Sequence, residues 1–294
     1  MENILNLRSL LKMSKEKVRK PVVAGSFYHQ EPKLLREQIR ECFLKGPGRL
    51  PEKKEFGREI KGVIVPHAGY IYSGPVAAYA YLELAESKTK DTVIIVGPSH
   101  TGLGAEVSIQ TEGVWEFPLG EMEIDQEIAK KILEIDVVRE DESAFAHEHS
   151  IEVQLPFLRY AYGSKLKFVP ICMLNQTHEV SRELGLWIAK IIKESEKDIL
   201  VLGTSDFTHY ESQEVAEEKD HKAIEPILVL DDRVFMEKVL GFNISICGYG
   251  AITTTIIASK NLGARSGKLL KYGTSGDITG QMGSVVGYSS IVFL

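Results

Sequence analysis

Gly62-Val63-Ile64-Val65-Pro66-His67-Ala68-Gly69-Tyr70 decides the fold. Its first four residues carry no polar alternation, the pattern of a strand covered on both faces. Pro66 stops the strand and Gly69 allows a tight turn, so His67 is delivered at the carboxyl end. Two further stretches repeat the arrangement. Thr92 to Val96 reads as a buried strand and runs into Gly97-Pro98-Ser99-His100. Asp198 to Leu202 does the same and runs into Gly203-Thr204-Ser205-Asp206-Phe207-Thr208-His209-Tyr210.

Helical patterns lie between these strands. Leu34, Leu35, Ile39 and Phe43 recur at helical spacing, which predicts a helix over 33–44. Ser73 is read as the start of a helix to Ala85, with Pro75 in its first turn. A helix capped by Asp125 follows, and Pro156 implies a kink or late start in the pattern from Ile151 to Tyr162. Half-buried and buried strands are expected over 105–110 and 166–174, and helices over 180–194, 214–229, 231–240 and 249–261. The chain closes on two apolar segments, 269–272 and 284–293, the second suited to an antiparallel or edge strand.

Strands alternating with helices predict one three-layer α/β/α domain over residues 19–294, with a mixed, mostly parallel central sheet. Residues 1–18 read as an N-terminal tail, and Met13 is a candidate for the true start.

The 294 residues carry 35 Lys and Arg against 41 Asp and Glu, a formal net charge of −6. An acidic chain has no electrostatic reason to bind nucleic acid, which needs a basic face. The run Lys15 to Lys20 is short and reads as a solvated tail. No apolar run reaches the roughly 18 residues of a membrane span. Three scattered cysteines, Cys42, Cys172 and Cys247, make no disulfide framework and suit a reducing cytoplasm.

In open α/β sheets ligands bind outside the carboxyl ends of the strands. A lone histidine there is more often a loop or satisfied core residue. Three at one edge, His67, His100 and His209, make a metal or acid/base site the sharper reading. Cys247, in Ile246-Cys247-Gly248-Tyr249-Gly250, precedes a predicted helix, where a thiol is expected to have a lowered pKa. Asp206 and His209 are three apart and would point the same way on a helical turn, the carboxylate orienting the imidazole.

Other motifs fail. His147-Glu148-His149-Ser150-Ile151-Glu152 lacks the histidine that a zinc-protease helix needs at 151, although His149 and Glu152 are candidates to stand beside the metal or touch substrate. Gly263 to Lys268 is too short for a phosphate loop, and Gly248-Tyr249-Gly250 is no dinucleotide fingerprint.

Taken in order, Ala24-Gly25-Ser26-Phe27-Tyr28, Pro66-His67-Ala68-Gly69-Tyr70, Gly97-Pro98-Ser99-His100, His147 to Glu152, Ser205-Asp206-Phe207 with His209, and Cys247-Gly248 resemble the Memo family, also called the AmmeMemoRadiSam system protein B family. That family is similar in fold to class III extradiol dioxygenases, which are non-haem iron enzymes. The resemblance implies a metal on His67, His100 and Cys247, with His209 as acid/base and Asp206 beside it. Tyr70 is a further candidate for substrate contact. It implies iron or copper as the metal, with zinc as the alternative. Family context also implies radical SAM and AMMECR-type partners. Thiolate in place of carboxylate departs from the dioxygenase pattern, being softer and open to oxidation.

Three functions follow as expectations. The first is a metal-dependent redox protein of unknown substrate. The second is a non-catalytic module that uses the cleft for a peptide or small anionic ligand. The third is a zinc-dependent hydrolase.

Overall fold

The computed structural model describes residues 17–52 and 59–294. Met13 and most of the expected tail lie outside the described residues. Val18, the last residue assigned to that tail, is already paired in a strand.

Twelve strands are described: β1 (Val18–Arg19), β2 (Gly62–Val65), β3 (Thr92–Pro98), β4 (Val107–Ile109), β5 (Val114–Phe117), β6 (Gly120–Glu123), β7 (Val138–Glu140), β8 (Lys167–Met173), β9 (Ile199–Thr204), β10 (His209–Glu211), β11 (Gly267–Thr274) and β12 (Val285–Phe293). The helices are α1 (Pro32–Lys45), α2 (Tyr70–Ala85), α3 (Gln126–Leu133), α4 (Leu155–Tyr162), α5 (His178–Lys193), α6 (Gln213–Leu228), α7 (Asp232–Gly241), α8 (Tyr249–Asn261) and α9 (Ser275–Thr279).

The main sheet is α/β and mixed. Its centre, in the order β2-β9-β3-β8, is parallel throughout. Antiparallel pairings flank it: β4 on β8 at one side, and β12 on β2 at the other. β12 is antiparallel, as its alternating small residues suggest. It is no edge strand, because β10 and β11 pair along its other side. A separate small sheet, β1-β5-β6, was not anticipated.

β2, β3 and β9 are buried along their whole length, which explains the unbroken apolar runs. Successive residues of β2 serve different cores. Val63 and Val65 pack in the larger one, with Tyr81 and Phe157, while Ile64 packs with Ile252, Ile256 and Phe293 in the other.

Local chemistry sets the helix starts. Asp125 accepts from the Ile128 N–H and Thr177 from the Val180 N–H, capping α3 and α5. α2 begins three residues before Ser73. The Ser73 hydroxyl donates to the Ala68 carbonyl at 2.9 Å instead of capping, and Gly69 takes the cap position. Pro156 falls in the first turn of α4, after a short 3-10 turn over Glu152–Gln154. This is the late start its position implies. The caps of α2 and α8 are both glycines without side-chain bonds. α2 opens three residues after His67, and α8 two residues after Cys247.

Candidate metal centre

His67 follows β2, His100 follows β3, and His149 lies in the segment between the 3-10 turns Glu142–Phe145 and Glu152–Gln154. The three come together at the carboxyl end of the parallel strands. One potential ligand atom from each lies within 4.8 Å of the others. The ring centroids are 5.0 Å apart for His67 and His100, 5.4 Å for His67 and His149, and 4.6 Å for His100 and His149. His67 is buried at 2% exposure, His149 is half-buried under Phe27, and His100 is open to solvent.

One buried amide ties these segments. Gln154 Nε2 lies within hydrogen-bond distance of the Pro66 carbonyl, the Ser150 carbonyl and Thr204 Oγ1, at 3.1, 3.1 and 2.9 Å. Its Oε1 accepts from the Tyr81 hydroxyl at 2.6 Å. Gly97 makes the approach of the 149 segment possible, since a Cβ there would stand 2.7 Å from Ser150 Oγ.

Cys247 enters from the start of α8. A Cβ on Gly248 would lie 2.5 Å from the Thr204 carbonyl oxygen, so only glycine lets this turn close on the end of β9. The Cys247 Sγ stands 3.2 Å from His67 Nε2 and accepts from the Asp206 N–H at 3.2 Å. Burial, then the charge of Asp206, push this thiol up, against the lowering expected at a helix start. The sulfur has few unpaired N–H groups to face: the Gly248 N–H donates to Ser205 Oγ and the Gly250 N–H to Gln176 Oε1, both at 2.8 Å.

Asp206 is buried, and its Oδ1 accepts the His67 backbone N–H at 2.8 Å. Burial raises its pKa to about 6, with the His67 N–H and the charge of His209 pulling the other way. Residues 205–208 are not a helical turn, so the expected geometry of Asp206 beside His209 does not form. The segment is held extended. Phe207 N–H donates to the Gly287 carbonyl, and the Gly287 N–H to the Thr208 carbonyl. Thr208 also donates from N–H and hydroxyl to Asp220, at 2.9 and 2.6 Å.

His209 is oriented by Ser245 instead. Its Nδ1 lies 2.8 Å from the Ser245 carbonyl oxygen, and its backbone N–H donates to Ser245 Oγ at 2.8 Å. A carbonyl only accepts, so Nδ1 carries a proton, which leaves Nε2 as the nitrogen that exchanges one. His209 is near enough that its charge lowers the pKa of both His67 and Asp206. Tyr210 is an extra residue where β10 slips register on β12, with φ 61° and 80% exposure, and so marks the rim.

Tyr70 and Glu152 have partners of their own. The Tyr70 hydroxyl donates to the Val153 carbonyl at 2.6 Å. Glu152, wholly buried, accepts from Arg19, the Val22 and Val23 N–H groups and the Tyr28 hydroxyl, so it anchors the 19–28 segment. Its charge still reaches His149. Sequence reasoning assigned nothing to Glu148, Thr204, Gln154 or Ser245. A carboxylate directly before two backbone N–H groups it can accept was the one signal available for Glu148.

The donor chemistry fits a cation. Burial holds His67 far below the ordinary imidazole range and His149 at about 4, so both are neutral near pH 7. The three histidines form a group that could hold a metal ion.

The description "Memo-like protein" matches residues 19–292. The chain belongs to the Memo family. A MEMO1 family protein of Methanopyrus kandleri is 48% identical over 278 residues, covering 94% of this chain and 98% of its own. Another from Sulfurisphaera tokodaii is 47% identical over 282 residues, covering 94% and 99%. An uncharacterized protein from Escherichia coli K12 shares the fold alone, at TM-score 0.51 and 12% identity over 80% of this chain and all of its own. The Memo family resemblance read from the ordered motifs is therefore borne out, as is the α/β class with a mixed central sheet. Among the described residues no helix is long and apolar enough to cross a membrane.

Proposed function

We propose that this Memo family protein is a metal-dependent redox protein, holding one iron or copper ion on His67, His100 and Cys247, with His149 as an adjoining donor. The observation that carries the reading is the 3.2 Å separation of Cys247 Sγ from His67 Nε2. Two ligands on neighbouring vertices of one tetrahedral ion, at ordinary N and S bond lengths, stand about 3.5 Å apart. Mixed imidazole and thiolate donors suit copper or iron, and the exposed face of His100 leaves room for a small molecule.

When bound, the metal would supply electron transfer and a positive charge that turns the thiol to thiolate. The chain's own groups do the rest. His209 takes or returns a proton at Nε2. Asp206 fixes the His67 backbone and adds a negative charge beside the thiol. A reducing, cytoplasmic setting accords with Cys42, Cys172 and Cys247 all being unpaired.

The test is metal content by mass spectrometry on untagged protein purified without oxygen, alongside His67→Ala and Cys247→Ser. The expected result is about one iron or copper per chain, lost in both variants. Stoichiometric zinc would put the hydrolase reading first. No metal even after reconstitution would leave a binding module.

A further inference from the structure

Glu148 lies between two candidate ligands in sequence and is buried at 1% exposure. Its Oε2 accepts the backbone N–H of His100 at 2.7 Å. Its Oε1 accepts the backbone N–H of His149 and of Ser150, both at 2.9 Å, and lies 3.0 Å from His100 Nδ1. The His149 ring is also near, with Nδ1 at 3.5 Å. Both oxygens thus accept from N–H donors, one at Oε2 and three clustered at Oε1, the set that an ionised carboxylate satisfies best. The carboxylate only accepts, so His100 Nδ1 must be the protonated nitrogen.

We infer that Glu148 is the positioning residue of this centre: it locks His100 in the Nδ1–H tautomer, turns Nε2 toward the other histidines, and sets the spacing between the His100 and His149 segments. The backbone is braced from the far side. Arg19, stacked 4.0 Å over the Trp115 ring, donates to the Glu148 carbonyl at 2.7 Å and to the Phe145 carbonyl at 2.9 Å. Glu148 therefore cannot withdraw without moving two loops. A histidine ligand whose other ring nitrogen is held by a carboxylate is fixed in orientation and made more basic. In its consequence for metal this inference rests on the reading above.

Imidazole 15N NMR on the metal-free protein tests the tautomer, and competitive Co(II) titration tests the consequence. The wild type is expected to show His100 protonated at Nδ1. Glu148→Ala should shift it toward Nε2–H and weaken Co(II) binding about 10- to 100-fold. Glu148→Gln is the conservative variant. Its amide oxygen can take the Oε1 place and keep the His100 ring, His149 and Ser150 bonds, so it should retain the tautomer and bind more tightly than Glu148→Ala. Wild-type His100 protonated at Nε2 would overturn the inference even if no variant folds. So would equal affinity in wild type and Glu148→Ala, or no rescue by Glu148→Gln. The predicted tautomers with no metal bound by any form would uphold Glu148 as the lock and overturn the metal reading instead.

Discussion

Asp206 gives its side chain to His67 and its backbone to Cys247. The carboxylate accepts the His67 N–H at 2.8 Å, while the Asp206 N–H donates to the Cys247 sulfur at 3.2 Å. One residue at the end of β9 thus holds two groups that arrive from opposite ends of the chain. Because Asp206 is buried beside them, its charge adds to desolvation in pushing the thiol up.

That arrangement makes Cys247 unreactive without a cation. Its thiol is pushed up by burial and by Asp206, so little thiolate exists at pH 8. Alkylation followed by peptide mass mapping should find Cys247 reacting at least about tenfold slower than a free cysteine at that pH. Asp206→Asn should speed the reaction. An unhindered rate in the wild type would contradict the account.

Asp220 should give stability a pH dependence of known sign. Burial raises its pKa from 3.8 to about 6, against hydrogen bonds from Thr208 and Tyr272. The folded state therefore prefers the protonated form. This contribution is full below about pH 4 and is lost as pH rises through about 6, to a total of about 3 kcal/mol. The buried neutral histidines act in the opposite sense, costing stability as pH falls below 6.5. Urea unfolding of wild type against Asp220→Asn from pH 4 to 7 isolates the carboxyl. The wild type should lose stability relative to the variant as pH rises across that range, and parallel curves would refute the assignment.

Glu152 should be a stability residue first. Its carboxylate has no exposure and receives Arg19, Tyr28 and two backbone N–H groups. Removing one partner of a buried pair strands the other, at a cost of about 3–5 kcal/mol. Glu152→Ala should lose that much in urea unfolding and release the 19–28 segment to proteolysis. A loss below about 1 kcal/mol, the range of surface pairs, would argue against this role.

Much of the fold was legible because β2, β3 and β9 are buried on both faces and end near Gly or Pro. Such strands need no partner information to be read, and the carboxyl-end rule then leads to His67, His100 and His209. The β5–β6 hairpin was missed because its strands have four residues each and Glu116, Glu121 and Glu123 interrupt the apolar pattern. The start of α2 was misread because Ser73 bonds backward to Ala68 when it could have capped. The three-residue spacing of Asp206 and His209 misled for a tertiary reason. Gly287, far along the chain, and Asp220, in the following helix, hold that segment extended. The place of His149 depends on Gln154 reaching three segments at once, which no local pattern encodes.

The central claim is that His67 and Cys247 share one ion. X-ray absorption at the metal edge of the loaded protein tests it most directly. The account predicts imidazole nitrogens together with one sulfur at about 2.3 Å, the sulfur vanishing in Cys247→Ser. A shell of nitrogen and oxygen alone in the wild type would place the metal on the histidines without Cys247, and would contradict the claim.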